Sequence, residues 1–172
     1  WLSNKITIEL DSLFKLKSIK ESNSQVRALS YQLYENYGVV KREKVVSLVK
    51  KLTQEDRKSL RDIGVKFGRY HIFLFKLFKP KQVSLRVLLW KNFKQINLTL
   101  KPPTFGLNFT DDPKFENKDF MLLCGFEKFD RFFVRIDILE RLFIHIINNN
   151  LENNQEVKLV PEMLNLLGCN KE

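Results

Sequence analysis

Nine cations and nine aromatic residues share residues 63–110, a stretch of the chain that contains no carboxylate. Basic side chains release counterions from a phosphate backbone, and aromatic rings stack on nucleobases. This combination is typical of a surface that binds nucleic acid. We therefore predict a nucleic-acid interface with Tyr70 as the base-stacking residue. The predicted phosphate contacts are Lys66, Arg69, Lys76, Lys79, Lys81, Arg86, Lys91 and Lys94.

Charge is segregated along this 172-residue chain, whose formal net charge is +10. Residues 1–40 carry +1, residues 41–101 carry +13 and residues 102–172 carry −4. A genomic bias toward lysine would raise the lysine content everywhere, but it does not explain why carboxylates avoid one stretch and gather in another. For the aromatic residues the alternative is burial, since phenylalanine is more often packed in a core than exposed.

Motifs for catalysis and for metal binding are missing from the sequence. There is no Gly-x-x-x-x-Gly-Lys-Ser/Thr phosphate loop. His71 and His145 have no cysteine at metal-binding spacing, and a histidine in an apolar run is more often a core residue than a ligand. Asp111 and Asp112 beside Pro113 indicate a turn. We therefore assign no catalytic residue, metal or cofactor to this chain.

Composition restricts the class of protein. With 44% hydrophobic and 12% aromatic residues, the chain is too apolar to be disordered. Cys124 and Cys169 are too few for a disulfide framework and favour a reducing compartment, which we expect to be the cytoplasm. No apolar run approaches the roughly 18 residues that span a bilayer, so we expect a soluble protein without a membrane partner. Because residue 1 is Trp1 and no signal segment follows, we expect a fragment of a longer protein.

Apolar periodicity predicts a mainly α, irregular multi-helix domain. Residues 70–78 form a short apolar run that fits either a strand or a buried helix, and we favour the helix. A short extended segment is expected at residues 65–69, and a small β-hairpin near residues 126–134. Helices are predicted at residues 1–16, 26–37, 41–52, 53–63, 81–94, 115–124, 135–147 and 161–167.

Local signals add detail to these elements. Gly38 is expected to end the second helix in a left-handed conformation. Thr53, with Asp56 three residues later, predicts a helix start. Asp137 and Arg141 are four residues apart, so we expect them to form an ion pair on a helix surface.

The segment 96–113 is irregular and rich in proline and glycine, which makes it the predicted domain boundary. It separates a basic helical domain, residues 1–101, from a smaller helical and hairpin subdomain, residues 102–172, which we expect to pack on the first.

Four sequence blocks, in order, resemble the C-terminal region of a helicase family. The block at 64–90 contains GVKFGRYHIFL, LFKP and LRVLLW, and the others are RALSYQLYE at 27–35, VRIDILERL at 134–142 and LLGC at 166–169. The family comprises alphaproteobacterial relatives of the mitochondrial degradosome RNA helicase, a superfamily 2 enzyme of the DExH type. One departure is Phe75, where the family often has proline.

This resemblance implies a module that follows two RecA-like motor domains, which would lie before Trp1 and hold ATP and Mg²⁺. It transfers no catalytic residue to the present chain. The expected function is a non-catalytic accessory domain that guides single-stranded RNA or DNA by backbone charge and stacking. The alternative is an interaction or scaffold module that docks on the motor domains or on a partner nuclease without contacting nucleic acid.

Overall fold

The computed structural model describes residues 2–19, 23–97, 99–129, 131–149 and 161–167. The prediction for Cys169 lies outside these residues. The chain divides into two compact units, Trp1–Pro102 and Pro103–Glu172. The described residues are mainly helical, as predicted, and they include two three-stranded antiparallel sheets where the sequence indicated one hairpin.

The first unit combines helices with a sheet in the strand order β1-β3-β2, and the sheet of the second unit has the order β4-β6-β5. The helices of the first unit are α1 (Leu2–Glu9), α2 (Asp11–Lys17), α3 (Ser24–Glu35), α4 (Val46–Lys50), α5 (Gln54–Ile63) and α6 (Pro80–Lys94). Its strands are β1 (Val39–Lys41), β2 (Val65–Phe67) and β3 (His71–Leu74), and 3-10 turns cover Arg42–Val45 and Phe75–Phe78. The elements of the second unit are β4 (Phe109–Thr110), α7 (Lys118–Leu123), β5 (Phe126–Phe129), β6 (Phe132–Arg135), α8 (Ile136–Asn149) and α9 (Pro161–Leu167).

Residues 71–74 form strand β3 and residues 75–78 a 3-10 turn, so the prediction of a helix at residues 70–78 was wrong. Strand β3 is the central strand of its sheet and is buried at all of its positions. Such a strand is apolar throughout and lacks the alternation that distinguishes a strand from a helix. The helix predicted at 41–52 is shortened to α4, because Lys41 pairs with β3 in the sheet and residues 42–45 form a 3-10 turn.

The register of the first sheet separates a core face from a second face. Val40, Ile72 and Phe67 lie side by side across the three strands and face a core that α2 to α5 complete. Side chains alternate along a strand, so Lys66 lies on the opposite face beside Phe73. The sheet thus presents one predicted cation on the face away from this core.

Two local predictions are confirmed in the first unit. Thr53 and Asp56 form a capping box at the start of α5, in which Thr53 Oγ1 accepts from the Asp56 N–H at 3.1 Å. The Thr53 N–H donates to Asp56 Oδ2 at 2.8 Å, and this backbone hydrogen bond is the main reason that the pKa of Asp56 lies below its usual value. Gly38 is left-handed, with φ +89°, and a Cβ atom there would overlap Leu77 Cδ1.

In the second unit, the hairpin predicted near residues 126–134 is confirmed as β5 and β6. The partner of Asp137 is Arg135 rather than the predicted Arg141. Arg135 Nε donates to Asp137 Oδ1 at 2.9 Å, and its Nη2 donates to Oδ2 at 2.6 Å. The bidentate geometry occupies both carboxylate oxygens, which helix spacing alone does not reveal.

Candidate nucleic-acid interface

Strands β2 and β3 are joined by a tight hairpin whose tip is formed by Arg69 and Tyr70. The Gly68 N–H donates to the His71 carbonyl at 2.8 Å and closes the turn. Arg69 is exposed, and the Tyr70 side chain is 49% exposed. An arginine can pair with a phosphate while a neighbouring aromatic ring stacks on a base. Two of the predicted contact residues are therefore neighbours on an ordered turn.

Arg42, the residue that directly follows strand β1, holds this tip, and sequence reasoning missed it. Its N–H donates to the Tyr70 carbonyl at 2.8 Å, and its Nη1 donates to the Gly68 carbonyl at 2.6 Å. A guanidinium has five N–H donors, so this side-chain contact leaves others for a phosphate. Only the pairing of β1 with β3 brings Arg42 to the tip, and no local pattern signals that pairing.

Two arginines of α5 lie near Phe67, the last residue of β2. The Cζ atoms of Arg57 and Arg61 lie 5.6 and 6.0 Å from the centre of the Phe67 ring. Arg57 Nη2 also donates to the Val49 carbonyl at 2.8 Å. Both arginines precede the carboxylate-free stretch, which is why sequence reasoning did not select them. We name the following residues, which form the tip of the β2–β3 hairpin or contact this hairpin, the hairpin-tip cluster: Arg42, Arg57, Arg61, Arg69 and Tyr70.

Three predicted lysines gather where the chain enters α6. Lys76 lies in the 3-10 turn, Lys79 directly precedes the helix, and Lys81 lies in its first turn. All three side chains are exposed. Lys81 Nζ lies 4.0 Å from Glu9 Oε1 of α1, so a carboxylate already balances part of its charge. Lys76 and Lys79 are accordingly the stronger candidates for phosphate contacts.

Lys91 and Lys94 lie at the other end of α6. A rise of 1.5 Å per residue places Lys94 about 20 Å along the helix axis from Lys81. Lys91 Nζ donates to the Leu100 carbonyl at 3.1 Å and ties the helix end to the segment that follows, whereas Lys94 is exposed. The predicted cations therefore form separate groups along α6.

The prediction for Arg86 needs correction, because this side chain is 0% exposed. Arg86 Nη1 donates to the Tyr37 carbonyl at 2.9 Å, and Nη2 donates to the Leu77 carbonyl at 2.6 Å. Its Cζ atom lies 5.5 Å from the centre of the Phe78 ring. A buried guanidinium that joins α6 to two other segments is not positioned to contact a phosphate. The sequence shows the charge of Arg86 but not the side of α6 that is buried.

Exposed apolar side chains accompany the lysines. Phe75 and Leu88 are each 46% exposed, and Phe93 is 78% exposed. Leu88 and Phe93 belong to α6, so the solvent-facing side of this helix carries apolar as well as charged side chains. These side chains add apolar contact area next to the charged groups.

Comparison with known protein families, curated proteins and solved structures finds no match. Among the residues that the structure describes, no group of three or more His, Cys, Asp and Glu side chains is placed to hold a metal ion. Within the same ranges, no helix combines the length and the apolar character needed to cross a membrane. The chemistry of the exposed charged and aromatic groups is therefore the basis for assigning a function.

Proposed function

We propose that this chain is a non-catalytic accessory domain that binds single-stranded RNA or DNA for an ATP-dependent superfamily 2 helicase of the cytoplasm. The observation that carries the proposal is the carboxylate-free stretch, in which most of the predicted cations are exposed. Charge contacts to phosphate and stacking on exposed rings bind a strand with little sequence preference. The assignment to a helicase, whose motor domains would hold ATP and Mg²⁺, rests on the resemblance of the four sequence blocks.

The hairpin-tip cluster supports this proposal because two of its arginines are already held in place by the protein. Main-chain carbonyls already hold Arg42 and Arg57, so these side chains lose little freedom when a phosphate binds. Glu43 and Asp62 are the sequence neighbours of Arg42 and Arg61 and reduce the net charge of the cluster. We therefore assign orientation of the strand to the cluster, and most of the salt-dependent affinity to the exposed lysines.

The test measures the affinity of the 172-residue chain for a labelled single strand at several salt concentrations. Each phosphate contact contributes about −0.7 to the slope of log K against log salt concentration. Replacing Lys76 and Lys79 together by glutamine should make the slope shallower by about 1.4. The matched control replaces Lys118 and Arg141, exposed residues of the second unit, by glutamine and should leave the slope unchanged.

Two results would contradict the proposal. The first is no binding at low salt, or binding that does not weaken as salt is added. The second is an equal change of slope in both double variants, because the affinity would then follow net charge rather than the surface that carries Lys76 and Lys79.

A protein-interaction module is the second candidate, and the exposure of Phe75 and Phe93 favours it. Such a module would dock on the motor domains or on a partner nuclease and would not bind a bare strand. Replacing Phe93 by serine should leave the salt slope of strand binding unchanged if the first proposal is right, because the substitution removes no charge. If the second is right, the unsubstituted chain binds no strand, and this substitution weakens its association with the motor domains.

A further inference from the structure

An open cleft lies between the C-terminal end of α2 and the outer face of α3, and its described lining residues all precede the carboxylate-free stretch in the sequence. Its volume is about 480 Å³, which lies within the roughly 300–1,000 Å³ typical of ligand sites. Leu16 and Lys17 of α2 line one side, and residues of α3 line the other. We name this site the α2–α3 cleft.

Helix geometry explains why polar groups and rings line this cleft. Arg27, Tyr31 and Glu35 recur every four residues along α3, so they share one face of the helix. Tyr34 lies three residues from Tyr31 and borders the same space. The core-facing side of α3 is occupied by buried leucine and valine. The cleft face is therefore built from side chains that the core does not require.

The chemistry of the lining suits a flat group that carries a negative charge. Tyr31 is 60% exposed, and Leu16 is 2% exposed and provides an apolar floor. Lys17 Nζ lies 5.5 Å from the centre of the Tyr34 ring, so one cation already rests against an aromatic face. Arg27 contributes a second cation within one helical turn of Tyr31. With Glu35 as the one carboxylate among the lining residues that the structure describes, the formal charge of the lining is positive.

We propose that the α2–α3 cleft binds one nucleobase of a single strand by stacking on Tyr31, while Arg27 and Lys17 pair with its phosphate. This inference rests on the proposed function and adds a contact outside the stretch that the charge pattern selects. A protein segment is the other possible occupant, and the excess of cations over carboxylates favours the polyanion. The glutamate and the two tyrosine hydroxyls supply partners for the edges of a base.

A thermodynamic cycle that combines one protein substitution with one change of the strand tests the stacking role directly. The affinity of the full chain and of Tyr31→Ala is measured for an oligothymidine and for an abasic strand that has the same number of phosphates. Base–aromatic stacking corresponds to a factor of about 5 to 150 per base, so Tyr31→Ala should weaken oligothymidine binding by such a factor. Binding of the abasic strand should be unchanged, because its charge contacts are intact. Tyr31→Phe keeps the ring and should retain the affinity for both strands.

The charge contacts have their own readout. Lys17→Gln and Arg27→Gln should each make the salt slope shallower by about 0.7 on both strands. If neither variant changes the salt slope, Lys17 and Arg27 do not contact a phosphate, and the inference is overturned. Circular dichroism melts check the fold of each variant, and Tyr31→Leu, which keeps apolar bulk and helix propensity without a ring, replaces Tyr31→Ala if the latter does not fold.

The outcomes separate this inference from the function on which it rests. An equal loss on both strands, or unchanged affinity of Tyr31→Ala for oligothymidine, overturns the base subsite while salt-dependent binding elsewhere stands. Unchanged affinity of Tyr31→Ala for oligothymidine would also favour a protein segment as the occupant of the cleft. If the unsubstituted chain binds neither strand, the proposed function and the inference both fall.

Discussion

Replacement of Arg86 by methionine tests whether this residue supports the fold of the first unit rather than its binding surface. The guanidinium is fully buried and donates to the carbonyls of Tyr37, which follows α3, and of Leu77 in the 3-10 turn. Methionine fills a similar volume but has no donor, so both carbonyls lose this partner. The variant should therefore weaken the attachment of α6 to the residues that follow α3 and to the 3-10 turn.

The expected loss of stability follows from these contacts. A hydrogen bond from a charged donor contributes about 1.5–3 kcal/mol, so two of them contribute roughly 3–6 kcal/mol. Methionine offsets part of this loss, because its burial does not require a charge to leave water. We expect a net decrease of about 2–4 kcal/mol in the free energy of unfolding, out of a typical total of about 5–15 kcal/mol. Arg86→Lys should also destabilise, since a single ammonium does not reproduce the planar fork.

Urea unfolding followed by circular dichroism measures this change. The control is Lys94→Met on the same helix, whose exposed side chain should alter stability by no more than about 0.5 kcal/mol. In folded Arg86→Met protein, the salt slope of strand binding should equal that of the unsubstituted chain. Unchanged stability together with a shallower slope would refute the reasoning, because the guanidinium would then be reaching a phosphate.

Two further predictions concern the backbone and the capping box. Gly38→Ala should destabilise more than Gly106→Ala in urea unfolding, since both glycines are left-handed but only a Cβ at Gly38 overlaps Leu77. The strain costs about 1–2 kcal/mol at either site and the overlap about 1–3 kcal/mol more, so equal losses would contradict the packing argument. In the folded state the pKa of Asp56 is lowered, mainly by the hydrogen bond from the Thr53 N–H. The ionised carboxylate therefore stabilises the fold fully above its ordinary pKa of 3.8, and this stabilisation is lost as pH falls through the lowered pKa. The difference in unfolding free energy between the unsubstituted chain and Asp56→Ala should shrink over that acid range, and a difference of constant size would contradict this account.

Elements that depend on neighbouring residues were predictable. The capping box of Thr53 and Asp56 closes within one helical turn. The hairpin of β5 and β6 is similarly local, since its strands are nearly consecutive in the chain. In each case the partner lies a few residues away, so the pattern in the sequence contains the whole interaction.

Elements that depend on distant partners were not predictable in the same way. Strand β1 forms because residues 39–41 pair with β3, about thirty residues further along the chain. The same pairing brings Arg42 to the hairpin tip. The pair of Arg135 and Asp137 was missed for a different reason. These residues are only two positions apart, but they meet across the junction of β6 and α8, which helix spacing does not describe.

The amino-acid sequence alone determines the segregation of charge, the carboxylate-free stretch and the local stops and caps of the helices, because these are properties of residue type and short spacing. The tertiary structure decides which of the cations are exposed. It buries Arg86 among backbone carbonyls, exposes Lys76 and Lys79, and adds Arg42 to the hairpin tip. The physical reason is that burial and strand pairing depend on segments far apart in the chain, so the same charge becomes a structural group at one position and a candidate phosphate contact at another.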